Sequence, residues 1–241
     1  MGKRPSSVGA VLSRVVKAAV AAALFPLVAG LLLGLREQVD FLSVSGRTFR
    51  EWIELGVVTY VVVHLLLYRP VRLFQAGRWI FSTMAAWLFG GQVASVEGTR
   101  AGDGKGRAEP RSPGASAVPG STLVAFSPYV VPLYTILVCI AGWALSRWVD
   151  RVLLDGAVGF CIGVTLAFHW LMTADELQGQ RARWHLEAYL LAMELVFLLT
   201  LLIVAACLPL AVPGFSFVGA LAEALSRAQA IYTTVLHRLF L

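Results

Sequence analysis

The sequence predicts an all-α fold, a polytopic transmembrane bundle of about six membrane helices followed by a C-terminal amphipathic helix. Three observations carry that expectation. Of 241 residues, 58% are apolar and 14% charged, against about 45–50% and about 25% in soluble globular chains. The apolar residues gather in blocks close to the roughly 20 residues that cross about 30 Å of hydrocarbon. The net charge of +6 sits at block ends, where lysine and arginine set the orientation of membrane helices; nucleic acid would call for a single basic stripe, so it is excluded as a partner.

The first unit, residues 1–94, opens with Lys3, Arg4, Arg14 and Lys17 ahead of an apolar run from Ala18 to Leu35. No small-residue cleavage site follows, so the run reads as a membrane helix from Val11 to Leu35, its N-terminus cytoplasmic, rather than as a secretory signal. Phe25-Pro26 places a kink near its middle. A polar connection, Arg36 to Glu51, leads to a second span from Trp52 to Tyr68. Arg69-Pro70 ends it, because proline disfavours helical backbone in the residue before it. A shorter apolar block, Trp79 to Phe89, belongs to a helix over 70–91 that crosses or re-enters the bilayer and closes on Gly90-Gly91.

From residue 95 to residue 121 the composition turns to Gly, Pro, Ser and mixed charge, too poor in apolar area to order itself, and reads as a linker. Gly102 to Gly106 falls there without the strand and helix that a phosphate loop needs, which argues against nucleotide binding. The second membrane unit, residues 122–213, begins with a span from Leu123 to Trp148 whose entry is stiffened by Pro128 and Pro132. Spans from Leu154 to Met172 and from Ala188 to Val212 follow, joined by a polar turn with Asp175, Glu176, Arg181 and Arg183. Cys139, Cys161 and Cys207 lie inside these spans, where a small hydrophobe packs well and neither a disulfide framework nor a zinc cluster is expected.

The tail, 214–241, sets Val218, Leu221, Leu225, Ala228, Tyr232, Val235 and Leu239 on one helical stripe with Glu223, Arg227 and His237 off it. That pattern predicts an amphipathic helix lying on the bilayer or on a partner.

Residues 69–93 read RPVRLFQAGRWIFSTMAAWLFGGQV. Together with the polar insert, the Pro-Tyr-x-x-Pro-Leu-Tyr run and the later Leu-Ala-Phe-His helix, this segment resembles the bacterial members of the site-2-protease-like membrane metallopeptidases. In that family a glycine precedes His-Glu-x-x-His on a membrane helix. With Gly77 and Leu88-Phe89-Gly90-Gly91 aligned, the two histidines fall at Arg78 and Ser82 and the glutamate at Trp79. A zinc protease needs two imidazoles one turn apart to hold the metal and a carboxylate to take a proton from its water. Arginine repels a divalent ion, tryptophan accepts no proton and a serine hydroxyl is a poor zinc ligand. The later-helix ligand would be sought near Gln180-Arg181-Ala182-Arg183. The resemblance therefore implies a degenerate member, not an enzyme, with no metal and no cofactor. It would reside in a bacterial inner membrane, with Gly77, Gly90, Gly91, Pro128 and Pro132 retained for packing.

The polar residues inside the spans leave further readings open. Glu187 and Glu194 stand seven residues apart on one face of the last span, either hydrogen-bonded to other helices or forming a proton relay. His64 and His169 are candidates for haem, chlorophyll or metal ligation, against ordinary interhelical hydrogen bonding. Two functions of different class follow. One is a binding, accessory or assembly subunit whose partners are other integral membrane proteins and lipid. The other is a cofactor-carrying or proton- or ion-conducting subunit of a larger complex.

Overall fold

The structure, a computed structural model, describes residues 7–40, 42–44, 47–66, 71–89, 129–179 and 186–240. Seven helices account for nearly all of them. α1 is Ser7–Asp40, α2 Phe49–Leu66, α3 Val71–Phe89, α4 Leu133–Leu145, α5 Arg151–Gly179, α6 Leu186–Ala211 and α7 Phe217–Phe240. Between α1 and α2 a two-residue antiparallel ladder pairs Ser43 with Thr48 and Val44 with Arg47. The linker expected at 95–121 lies outside the described residues, as do Gly90, Gly91 and Pro128.

Among the described residues three helical stretches are long and apolar enough to cross a bilayer: Val11–Asp40, Leu154–Gln178 and Leu186–Ala211. That is fewer than the six spans expected, and the shortfall has local causes. α2 carries Arg50, Glu51 and Glu54 in its first turns, and α3 is diluted by Arg72, Gln75 and Arg78. α4 starts only after Pro132 and has 13 residues, about 20 Å at 1.5 Å per residue, short of the hydrocarbon thickness. The span expected to end at Met172 instead continues as helix to Gly179, so that Asp175 and Glu176 are helical and not in a turn.

The helices pack in the spatial order α7, α1, α6, α4, α5, α2, with α3 against the α4–α5 end. The two outer pairs are held by small residues, which let helix backbones approach closely. On α1, a methyl group added at Gly30 or Gly34 would come 2.6 Å from backbone atoms of Ala224. On the α2–α5 side, one added at Gly56 would collide with the Phe160 carbonyl oxygen, and one at Gly163 with that of Ile53. Between these pairs Leu31, Leu35 and Val39 of α1 join Leu201, Val204 and Leu208 of α6 in the main apolar core. α1 and α6 run in the same sense, for Arg14 pairs with Glu187 at one end and Leu42 meets Gly214 at the other. Outward, Val15 is 59% and Leu65 76% exposed, faces suited to lipid.

The tail helix forms as expected, but its inward face is rotated from the predicted stripe: Ala228 of the stripe is buried on α1 together with Ala220 and Ala224, whereas Val218, Leu225 and Val235 of the stripe are exposed. Close packing on Gly30 and Gly34 selects the smallest side chains over the most apolar ones. Tyr232 donates its hydroxyl to the Ala23 carbonyl, so α7 runs antiparallel to α1 alongside its apolar stretch.

Candidate functional site

The segment that resembles a zinc-binding helix is α3, and the structure shows what surrounds its key positions. Arg78 makes an ion pair with Glu176 of α5. Its guanidinium carbon lies 5.1 Å from the centre of the Tyr129 ring, a cation–π distance. Tyr129 in turn donates its hydroxyl to the same Glu176 carboxylate at 3.2 Å. The cation, the carboxylate and the phenol thus close on one another. Trp79 is 65% exposed, and Ser82 follows one turn later on α3.

Gly77 is buried, but not against another backbone, as its place beside Arg78 suggests. An added methyl group would lie 3.1 Å from the Tyr134 ring. That ring is fixed by its hydroxyl, which donates to the Leu73 carbonyl at 2.7 Å. Phe74, Tyr60 and Tyr134 all meet Phe168 in edge-on contacts, with centroids 5.5–6.1 Å apart, a geometry that aromatic quadrupoles favour. Gly77 therefore gives room for a ring that staples α3 to α4.

His169 is buried at 6% exposure, and its Nε2 lies 3.1 Å from the Tyr129 carbonyl oxygen. An imidazole nitrogen that donates to a carbonyl is not free to bind a metal. Pro132 is fully buried and caps the start of α4. Having no N–H to satisfy, it can break the helix there, and the Val130 carbonyl accepts instead from Thr200 of α6 at 2.9 Å. Between these groups lies a cavity of about 20 Å³, lined in part by Gly77, Arg78, Val131, Tyr134 and His169. Its size suits about one water molecule.

The other singled-out residues lie apart from this cluster. His64, on α2, has its Nδ1 3.4 Å from the Tyr60 hydroxyl. Glu187 lies 3.5 Å from the Arg14 guanidinium. Glu194, two turns further along α6, has one buried carboxylate oxygen without a hydrogen-bond partner among the described residues. No three His, Cys, Asp or Glu side chains among the described residues gather where they could hold a metal ion, and Gln180-Arg181-Ala182-Arg183 lie outside that set.

Sequence reasoning missed Glu176 and Tyr129 as the partners of Arg78. The local pattern places Glu176 in a turn and Tyr129 at a span entry. The available signal was charge: an arginine on an apolar helix needs a carboxylate within reach, and Glu176 is among the few in the chain. The chain matches no family model, no curated protein and no solved structure.

Proposed function

We propose that this is a catalytically inactive, site-2-protease-like integral membrane protein that works by binding other membrane proteins, as an accessory or assembly subunit. The observation that carries the reading is the Arg78–Glu176–Tyr129 cluster. Where the resemblance calls for a zinc ligand, a permanent cation is tied to a carboxylate and a phenol. That arrangement fixes α3 mechanically and offers a metal nothing. In this reading the chain is a multi-pass protein of a bacterial inner membrane with both termini cytoplasmic; because α1 and α6 run in the same sense, α6 is not the sixth crossing and α7 supplies the return. The antiparallel course of α7 along α1 supports the last point, since it brings the start of α1 and the end of α7 to the same side.

One observation favours the conducting alternative, a buried oxygen of Glu194 with no partner among the described residues. A carboxylate at membrane depth is held at a cost and commonly serves a pathway. Elemental analysis of the purified protein tests the inactive-protease reading first. The proposal expects no stoichiometric zinc and no cleavage of a membrane substrate, while about one zinc per chain would overturn it. An absorption spectrum without haem or chlorophyll bands, and proton flux in vesicles unchanged by Glu194→Gln, are the further results expected.

A further inference from the structure

The neighbours of α5 restrict where α3 can go. α2 runs with α5: Trp52 meets Gly156, Gly56 faces the Phe160 carbonyl, and Tyr60 meets the Phe168 ring. α4 runs against it, since Gly142 faces Val158, Thr135 and Thr165 share a hydrogen bond, and His169 lies on the Tyr129 carbonyl. α2 therefore ends, and α4 begins, at the same end of α5. Between them stand α3 and residues 90–128, whose sequence holds no run of the roughly 20 apolar residues that recross a bilayer. Had α3 crossed, the chain could not return to start α4. The shared sense of α1 and α6 agrees, for with α3 counted as a crossing α6 would run opposite to α1.

We infer that α3 is not a span but an amphipathic helix docked in the lipid leaflet at that end of α5, with acyl chains against one flank and headgroups and water against the other. Its depth follows from its contacts. Phe74 meets Phe168, inside the apolar stretch Leu154–Gln178, and Arg78 meets Glu176 near the end of that stretch. α3 thus lies along the last turns of a spanning helix, at the boundary of hydrocarbon and water. Its residues divide among three surroundings. Phe74, Gly77 and Arg78 turn to the bundle. Leu73, Ala76 and Ile80 are exposed on one flank, and Arg72, Gln75 and Thr83 on the other. Bulky aliphatic side chains such as Leu73 and Ile80 suit acyl chains, whereas partner helices in a membrane select small or polar residues. α3 has no acidic residue, and Arg72 has no ion-pair partner among the described residues. A basic, polar flank beside an aliphatic one is the pattern of helices that lie in the membrane surface. Trp79 stands among the exposed polar residues, at the headgroup level where indoles collect. Val71, in the first turn, is exposed and falls outside the aliphatic flank.

The inference rests on helix directions and not on the loss of the zinc motif, so either can fail alone. The test uses the full chain in native membrane vesicles, in a background of Cys139→Ala, Cys161→Ala and Cys207→Ala whose folding is checked by its melting profile. A membrane-impermeant maleimide should label Leu66→Cys, at the end of α2, and Thr83→Cys from one and the same side, and Trp148→Cys, just after α4, from the other. Spin labels at Leu73→Cys and Ile80→Cys should be relaxed more by oxygen, which collects in lipid, than by a water-soluble nickel chelate, and the order should reverse at Gln75→Cys and Thr83→Cys. Three results overturn the inference. Thr83→Cys could label from the side of Trp148→Cys or from neither, nickel access could be equal at all four spin-labelled positions, or Leu73→Cys and Ile80→Cys could be shielded from both reagents, which would mean that another protein covers that flank.

Discussion

Removing either partner of the Arg78–Glu176 pair should loosen α3, and a double-mutant cycle can measure by how much. Two unit charges about 4 Å apart at an effective dielectric constant of about 20 attract by about 4 kcal/mol. The side chains are 34% and 29% exposed, so solvent screening and the cost of ordering both chains reduce this to about 1–2 kcal/mol. The cycle consists of wild type, Arg78→Leu, Glu176→Leu and the double variant, with unfolding followed by denaturant titration in mild detergent. Each single change should cost more than half of the double change, because each leaves one charge without its counterpart, with Tyr129 the remaining partner of Glu176 among the described residues. A coupling of about 1–2 kcal/mol, roughly 5- to 30-fold in the equilibrium constant, is expected. The exchanged pair, Arg78→Glu with Glu176→Arg, should recover part of it. Losses that add to within about 0.3–0.5 kcal/mol would refute the reasoning, since groups that do not interact behave that way.

Two further predictions concern the glycine contacts. Gly163→Ala should destabilise the α2–α5 pair by about 1–3 kcal/mol, because its methyl group meets the Ile53 carbonyl and the helices must part to admit it; a lower melting temperature in detergent checks this. Gly34→Val should displace α7 from α1, since the first added carbon alone lies 2.6 Å from the Ala224 nitrogen, and labelling of a cysteine placed at Ala224 should change from protected to rapid.

Composition and block length made the membrane class and most helix positions legible, because burial in lipid leaves a long apolar signature. Gly77 was also legible, as a glycine where a helix former would be better, although its neighbour proved to be the Tyr134 ring. The inward face of α7 was not. Of the hydrophobic stripe Ala228 is buried while Val218, Leu225 and Val235 are exposed, and the packing adds Ala220 and Ala224, which lie off it; dispersion between close backbones rewards small size, which no hydrophobicity scale records. Glu176 stayed hidden for a different reason. Its partner Arg78 lies 98 residues earlier, and no local pattern connects the two.

The place of α1 between α6 and α7 has a consequence for biogenesis. α1 is synthesised well before the two helices it packs on, as the contacts of Arg14 with Glu187, of Ala23 with Tyr232 and of Glu37 with Arg227 show. Synthesis of the intervening chain at ~5–20 residues per second takes roughly 10–35 s. During that interval the Gly30–Gly34 groove is open to any other membrane helix with small residues. Chaperoning of α1 in the membrane, or its capture by a foreign helix, is decided in that window, before the chain's own α7 arrives to fill the groove.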